Sequence, residues 1–573
     1  MPKQFAALVF GANIAAVLAL ACGGAAAPTT TPTSRPVATA APGSGTQPTP
    51  GGAAPAAAST PTPTRATAPT AAPASRGPLG KMEMAAVGEI ANPDTHAAAT
   101  GGQAGFYNTD VNAGLLAERG DAPAGPWLAE SWAWEEKGLK VRFVIRKGAR
   151  FHNGKPVTSD DILFTVDKVR SPYAATGVNA SAARWMKNVE AIDDRTVVFT
   201  MPEVFALGWN SLGSLIVQPR HDPYVAMRNN PIGAGPYRVM EWRAFESITL
   251  EASPYWWDAD KVQIKTIHRL VVPEPESRLA MLKSGQVDFI DDVQSRQAEE
   301  LLKDKRFRVK VAQGSSWVAL MFSTDTPVIP GTDIPNPFLD VRVRRAFIMA
   351  VDRKAIVEGV ALGKYGYSIP GPWHRSGLGG SEQDNITPYP YDPKAARQLL
   401  EEAKFPFDRE WPVWYYRSST GFAEASEVAV AYWNTIGIKA RGRLTETATI
   451  VSYVKELPAR TYPIRTYRSA IIGVGEPSSY LVFPKTLIEN NGSQFLDEQL
   501  DAWGRQLRTA FEPAERELIY RKIYQRIHEQ ALNIPLLGGV LIHAFSQRVD
   551  YDPLPQGYSV SHLWHTKWMP GYP

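Results

Sequence analysis

Three pairs of adjacent carboxylates stand out as groups with chemical capacity: Asp160–Asp161, Asp193–Asp194 and Asp291–Asp292. Two carboxyl groups hydrolyse glycosides when they lie roughly 5 to 9 Å apart across the scissile bond. Adjacency in sequence does not supply that separation. Local pattern gives two of the pairs simpler work. Ser159 or Asp160 caps a helix, and Asp193-Asp194-Arg195 forms a hairpin turn. Gly-x-Ser-x-Gly and His-Glu-x-x-His are absent. Gly359 to Lys364 is too short for a phosphate loop, and Tyr365 stands where Ser or Thr is required, so this stretch ends the preceding helix. His562 and His565 have helix-compatible spacing, but a lone pair with no cysteine in the folded region does not make a metal site. No catalytic residue, metal or cofactor is expected. A secreted, membrane-tethered hydrolase (glycosidase or peptidase) is the competing class.

Binding is better provided for. The chain has 16 tryptophans, and Trp209, Trp373, Trp414 and Trp433 can stack on sugar rings or apolar side chains where they line a cleft. Any of them that does not line a cleft belongs to a core. Tyr107, Trp209 and Trp414 are the aromatic candidates for ligand contact. A net charge of +4 is too small to argue for nucleic acid. The sole cysteine, Cys22, excludes internal disulfides, so packing must hold the core.

Cys22 has a distinctive setting. Phe5 to Ala21 is almost wholly apolar, follows Lys3, and is too short to span a bilayer comfortably. With small residues around the cysteine, this reads as an export segment. It resembles a bacterial lipoprotein signal, which implies lipid attachment at Cys22 and a place on the outer face of the cytoplasmic membrane. From residue 23 to 78 the chain is mostly Ala, Pro, Thr, Ser and Gly. Such a segment cannot bury enough apolar surface to offset chain entropy, so it is expected to be a disordered tether reaching on the order of 150 Å.

The elements that must position any site lie beyond residue 78. Val141, Phe143 and Ile145 alternate as in a strand, and Ile162, Leu163, Val166 and Val169 mark a helix. Tyr237 to Trp242 and Ile248 to Glu251 read as a hairpin. Pro275 starts a helix that Gly285 ends, and Val287 to Ile290 is a strand. Asp340, Asp352 and Asp392 each precede a helical stripe. Two further stripes, Leu496 to Phe511 and Ile519 to Ala531, are followed by Asn533-Ile534-Pro535 and an apolar strand from Leu536 to Ala544. Gly154, Gly233 and Gly235 are expected in tight turns. Arg342, Arg344 and Arg345 oppose the dipole at a helix start and are expected to pair with carboxylates elsewhere.

In their order, several segments resemble the family 5 bacterial extracellular solute-binding proteins, which include dipeptide, oligopeptide and nickel binders of ABC importers. They are Pro126-Trp127-Leu128-Ala129-Glu130-Ser131-Trp132; Phe143 to Asp161 with Phe151-His152-Asn153-Gly154-Lys155-Pro156; Pro231-Ile232-Gly233-Ala234-Gly235-Pro236-Tyr237; Pro254-Tyr255-Trp256; Arg278 to Asp288; Asp340 to Ala346 with Ala350-Val351-Asp352-Arg353; and Tyr391-Asp392-Pro393. The resemblance implies an α/β fold of periplasmic-binding-protein type II, a bilobal hinged clamp with an extra subdomain in the first lobe. Lobe I would span 79–318 and lobe II 319–535, with 536–573 returning to lobe I. The chain would cross near Val318 to Phe322 and near Pro535 to Gly538. The implied partners are a small organic solute, peptide or oligosaccharide-like, an ABC permease with its ATPase subunits, and the membrane through the lipid. A monomer is expected. Peptide binders of this family place a carboxylate for the peptide ammonium just before an acidic-Pro-x-x-aromatic-Leu segment. Here that segment is Glu476-Pro477-Ser478-Ser479-Tyr480-Leu481, and Gly473 stands at the carboxylate's position. Ile471, Ile472 and Gly473, through their main chain, and Glu476 complete the expected ligand contacts.

Overall fold

The computed structural model describes residues 77–88, 93–96, 107–119, 122–174, 182–204, 212–213, 215–221, 231–324, 326–329, 332–371, 384–416, 421–445, 463–470, 497–552 and 562–572, with single residues 206 and 382. The chain divides into two units, Met1–Ala72 and Pro73–Pro573, and every described residue lies in the second. Cys22, the segment before it and nearly all of the 23–78 tether lie outside the described residues. So do Trp209, Trp373, Ile471, Ile472, Gly473 and Glu476.

Local chemistry accounts for most element boundaries. Asp340, Asp352 and Asp392 cap the helices Val341–Met349, Arg353–Val360 and Pro393–Glu402, each accepting a bond from a first-turn N–H. Gly285 ends Pro275–Ser284 at φ 75°, a left-handed conformation that glycine adopts at little cost. The cap of Ser159–Arg170 corrects the expectation: it is Thr158, not Ser159 or Asp160. The Asp161 carboxylate accepts from the Thr158 N–H and hydroxyl, both at 2.9 Å, which closes a capping box. Asp160 pairs with Arg220 at the surface. The arginine cluster also differs in part. Arg342 pairs with Asp340. Arg344 donates instead to the carbonyls of Gln530, Phe338 and Leu339, and Arg345 donates to Glu529 O. The carbonyl-rich end of the helix Pro513–Glu529 therefore takes much of their charge.

One 11-stranded sheet runs through the folded region. At one end Leu79–Ala86 lies between Ile264–Val271 and Phe289–Ile290, parallel to both. At the other end Glu410–Tyr416 lies between Lys439–Thr445 and Ile464–Ala470, again parallel to both. Two long antiparallel strands, Phe307–Phe322 and Asn533–Ser546, join these halves. Asn533–Ser546 also pairs with Phe289–Ile290, and Phe307–Phe322 with Ile464–Ala470, so each long strand belongs to the whole sheet.

The ladder between the long strands is broken. Pairing stops at Gln313–Val540 and resumes at Trp317–Gly538, so Gly314 to Ser316 face Gly539 alone. A second shift falls between Val318 and Ala319, where Pro535 enters the ladder without an N–H to donate. Asn533-Ile534-Pro535 thus opens the strand rather than merely ending a helix.

One core runs along a face of the sheet from Ala85, Leu282 and Ile290 to Phe338 and Trp433, and further cores lie on the other face and in the first lobe. In the second lobe Val318, Leu320 and Phe322 face a core with Phe338, Phe347, Trp411 and Trp433, while Ala319 and Met321 face Leu507, Tyr520 and Tyr524. The alternation follows from the two-residue period of a strand covered on both faces. The first lobe carries a separate four-stranded sheet, Ala129–Glu135, Lys140–Ile145, Thr196–Thr200 and Asn188–Ala191, beneath the helix Ser159–Arg170. Its core holds Val141, Phe143, Ile162, Val166 and Phe199. Together these elements form a mixed α/β molecule of two lobes with an extra subdomain in the first.

Candidate functional site

In sheets of parallel strands, ligands bind beyond the carboxyl ends. The first lobe's exits are Val87–Gly88, Val272–Pro273 and Asp291–Asp292. The second lobe's exits follow Tyr416, Thr445 and Ala470. Strand direction turns both sets toward the break in the long ladder. Ala470 pairs with Ser316, inside the break. The Val293 N–H donates to Ile542 O at 3.0 Å, and Ile542 is two residues, about 7 Å, from Val540, where the ladder stops. Two rims of strand exits therefore lie on either side of one irregular crossing. Residues 471–473 continue directly from Ala470.

The family-like segments prove to be mutually packed supports. His152 and Gly233 exchange two bonds: the His152 N–H donates to Gly233 O at 2.9 Å, and the Gly233 N–H donates to His152 Nδ1 at 3.2 Å. The ring proton then belongs on Nε2, which donates to Gly235 O at 3.0 Å. Burial pushes this imidazole down to about 4, which keeps it neutral. Gly233 and Gly235, expected in tight turns, lie at the bend before Tyr237 and have no positive φ. A Cβ on Gly233 would lie 2.0 Å from Val111 O, and one on Gly235 would lie 2.7 Å from Asp110 O. They allow close approach to the turn Tyr107–Val111.

That turn contains Tyr107, which is fully buried. Burial and then the charge of Asp94 push its hydroxyl well above the usual tyrosine range. Asp110, in the same turn, accepts from the Trp564 N–H at 3.3 Å and the Thr109 hydroxyl at 3.3 Å. Burial pushes its carboxyl up to about 7. The turn thereby receives the C-terminal segment Leu563–His565.

Trp414 is buried in Glu410–Tyr416. Trp411, Val413 and Tyr415 enter the large core, and Trp414, between two of them, takes the other face of the strand. Trp433 is a core residue whose indole N–H donates to Phe347 O at 2.9 Å. The carboxylate pairs have local roles. Asp193 accepts from the N–H groups of Arg195 and Thr196, both at 2.8 Å, and Asp161 belongs to the capping box. The rings of His562 and His565 lie 6.1 Å apart, and burial pushes both imidazoles down. Among the described residues no group of three His, Cys, Asp or Glu is placed to hold a metal ion.

Sequence reasoning missed a buried polar group beside Tyr107. Lys168 Nζ lies 2.6 Å from Asp94 Oδ2 and 2.6 Å from Gln218 Oε1, and the Tyr173 hydroxyl donates to Asp94 Oδ2 at 2.9 Å. Burial raises the Asp94 carboxyl, but bonds from Lys168, Gln218 and Tyr173 outweigh it, so the group stays ionised. Arg269 and Arg278, both buried at the first lobe's exits, were missed as well. A signal existed for Arg278: it stands four residues before Leu282, on the helix face that enters the core.

Comparison with known proteins gives these observations a context. The family described as "Bacterial extracellular solute-binding proteins, family 5 Middle" matches residues 124–483. The heme-binding protein A of Haemophilus influenzae is 26% identical over 484 residues, 77% of this chain and 84% of that protein. The di/tripeptide-binding protein 1 of Pseudomonas aeruginosa is 23% identical over 485 residues, 77% of this chain and 85% of that protein. Among solved structures, the ABC transporter-associated periplasmic binding protein DppA of Helicobacter pylori, in complex with the peptide STSA, superposes with a TM-score of 0.71 at 21% identity. It covers 86% of this chain and 99% of its own, a likeness of fold.

Proposed function

The chain belongs to the family 5 bacterial extracellular solute-binding proteins, and from that premise we propose that it captures a peptide-type or other small organic solute between its lobes and delivers it to an ABC permease. The observation that carries the proposal is the crossing. Two rims of strand exits lie on either side of it, and what joins them within the sheet is a pair of strands whose ladder is interrupted at Gly314 to Ser316 and Gly539. A clamp needs rigid jaws and few connecting residues that absorb rotation. Solute closes it only to the extent that the closed state binds better than the open one. Lobe I is proposed as 79–318 with 536–573, and lobe II as 319–535.

Within this reading Ile471, Ile472, Gly473 and Glu476 meet the solute from the second rim, with Trp209 and Trp414 as aromatic surfaces. Tyr107, fully buried, backs the first lobe's wall. Gly473 in place of a carboxylate disfavours a free ammonium as the main recognition element, because a buried cation without a counter-charge is costly. Before the folded region, Cys22 carries lipid and the 23–78 segment is a leash that leaves the clamp free to reorient near the membrane.

Small-angle scattering tests the clamp. Solute recovered from the purified protein, and di- and tripeptides and heme as probes, are expected to reduce the radius of gyration on binding. Tight binding with no compaction would overturn the hinged reading. Mass spectrometry of bound and released solute separates a receptor from the hydrolase alternative, since a receptor returns its solute unchanged. Cys22→Ser is expected to release the protein from membranes.

A further inference from the structure

The first lobe's three strand exits are tied together by charges that have no surface role. Arg278 is buried, and its guanidinium donates almost entirely to main chain: Nε to Asp291 O at 3.3 Å, Nη1 to Val272 O and Pro273 O at 2.8 Å each, and Nη2 to Asp292 O at 2.9 Å. Arg269 is also buried and donates to Gly88 O at 2.5 Å. Asp291 Oδ1 accepts the Val87 N–H at 3.0 Å, and the Asp291 N–H donates to Ala85 O at 3.4 Å. A carbonyl at a strand exit has left the ladder and must find another donor. Here the planar five-donor fork of arginine supplies several such carbonyls at once, which an ammonium cannot do.

We propose that Arg269, Arg278 and Asp291 are positioning residues for solute capture: by main-chain bonds they hold Val87–Gly88, Val272–Pro273 and Asp291–Asp292 as one rigid rim, and the charge on Asp291 makes that rim tighten and loosen with pH. The inference rests on the receptor reading for the claim that this rim meets solute. The groups facing Asp291 are Arg269 from Ile264–Val271, Arg278 from Pro275–Ser284, and its neighbour Asp292. Burial raises the Asp291 carboxyl to about 6, against the opposing pull of Arg269. A carboxyl raised in this way favours the ordered rim when it carries its proton, so its contribution is complete below its ordinary value, about pH 4, and is lost as pH rises through about 6. Solute affinity is therefore expected to fall as pH rises over the same interval.

The test joins two readouts. Hydrogen exchange on the solute-free protein reads the amides of Val87 and Asp291. After correction for intrinsic rates, their protection in wild type is expected to drop about tenfold from pH 5 to pH 7.5, and in Asp291→Asn to stay flat. Calorimetry at the same pH values then reads affinity for the recovered solute, dipeptides and heme. Wild type is expected to weaken about tenfold from pH 5 to pH 7.5, Asp291→Asn to lose that step, and Arg278→Lys to bind at least tenfold more weakly at every pH. If Arg278→Lys does not fold, Asp291→Asn decides alone. Wild-type affinity that is flat with pH, or an Asp291→Asn profile identical to wild type, would overturn the inference and leave the receptor reading standing. Failure of wild type to bind any probe would remove the receptor reading and this inference with it.

Discussion

The two lobes hold their strand exits beside the same pair of long strands with different chemistry. The first lobe relies on buried charge: Arg269, Arg278 and Asp291 at the rim, and Asp94 with Lys168 and Gln218 behind it. The second relies on aromatic packing, in which Phe322, Phe338, Phe347, Phe405, Trp411 and Trp433 touch in sequence with ring centroids between 5.1 and 5.9 Å. The difference teaches that the first lobe's exits are sensitive to protons and to the loss of a single partner, whereas the second lobe's ring cluster is sensitive to volume. A ring cluster has no protonation state near neutral pH. A buried ion pair does, and removing half of it leaves a bare charge.

The contrast can be broken at its strongest points first. Trp433→Ala is expected to cost about 3–5 kcal/mol in urea denaturation, by the same amount at pH 5 and pH 8. A pH-dependent cost there would erase the distinction between the lobes. In the first lobe Asp94→Ala should also cost about 3–5 kcal/mol, because Lys168 is left buried without its carboxylate. The double variant Asp94→Ala/Lys168→Met should recover most of that loss; a double variant as unstable as the single one would mean that packing, not charge, holds this seam.

Asp110→Asn addresses the pH axis. A carboxyl raised to about 7 in the fold contributes stability that is complete below its unfolded value, about pH 4, and is lost as pH rises through 7. His152, His543 and His562, pushed down to about 4 by burial, act in the opposite sense. Their contribution is complete above about pH 6.5 and is lost as pH falls toward 4. Asp110→Asn is accordingly expected to raise the melting temperature at pH 8 and to change it little at pH 4. An equal shift at both would refute the assignment.

A smaller effect tests the crossing that both lobes share. A Cβ on Gly538 would lie 2.4 Å from the ring of Tyr367, whose two-residue strand Gly366–Tyr367 pairs with Gly538–Gly539. Gly538→Ala should cost about 1–3 kcal/mol, and Tyr367→Ala in the same chain should relieve it. Smallest of all, Arg342→Ala removes an exposed pair with Asp340 and should cost less than about 1 kcal/mol. A larger loss would show that this helix start depends on charge after all.

Much of this molecule was legible in its residues, because the rules involved are local. Aspartate before an apolar stripe caps a helix, glycine after one ends it, and alternation marks a strand; Asp352, Gly285 and Val141 to Ile145 needed nothing else. The ordered segments from Pro126 to Pro393 likewise pointed to the family. Tertiary structure alone decided what those segments do for one another. Nothing in sequence says that His152 is pinned between Gly233 and Gly235, or that two glycines far along the chain make room for the carbonyls of Asp110 and Val111. Nor does it say that Arg278 serves four carbonyls on two separate strand exits. Caps and periods depend on neighbours a few residues away, whereas a buried polar group is satisfied by whatever main chain the finished topology brings beside it.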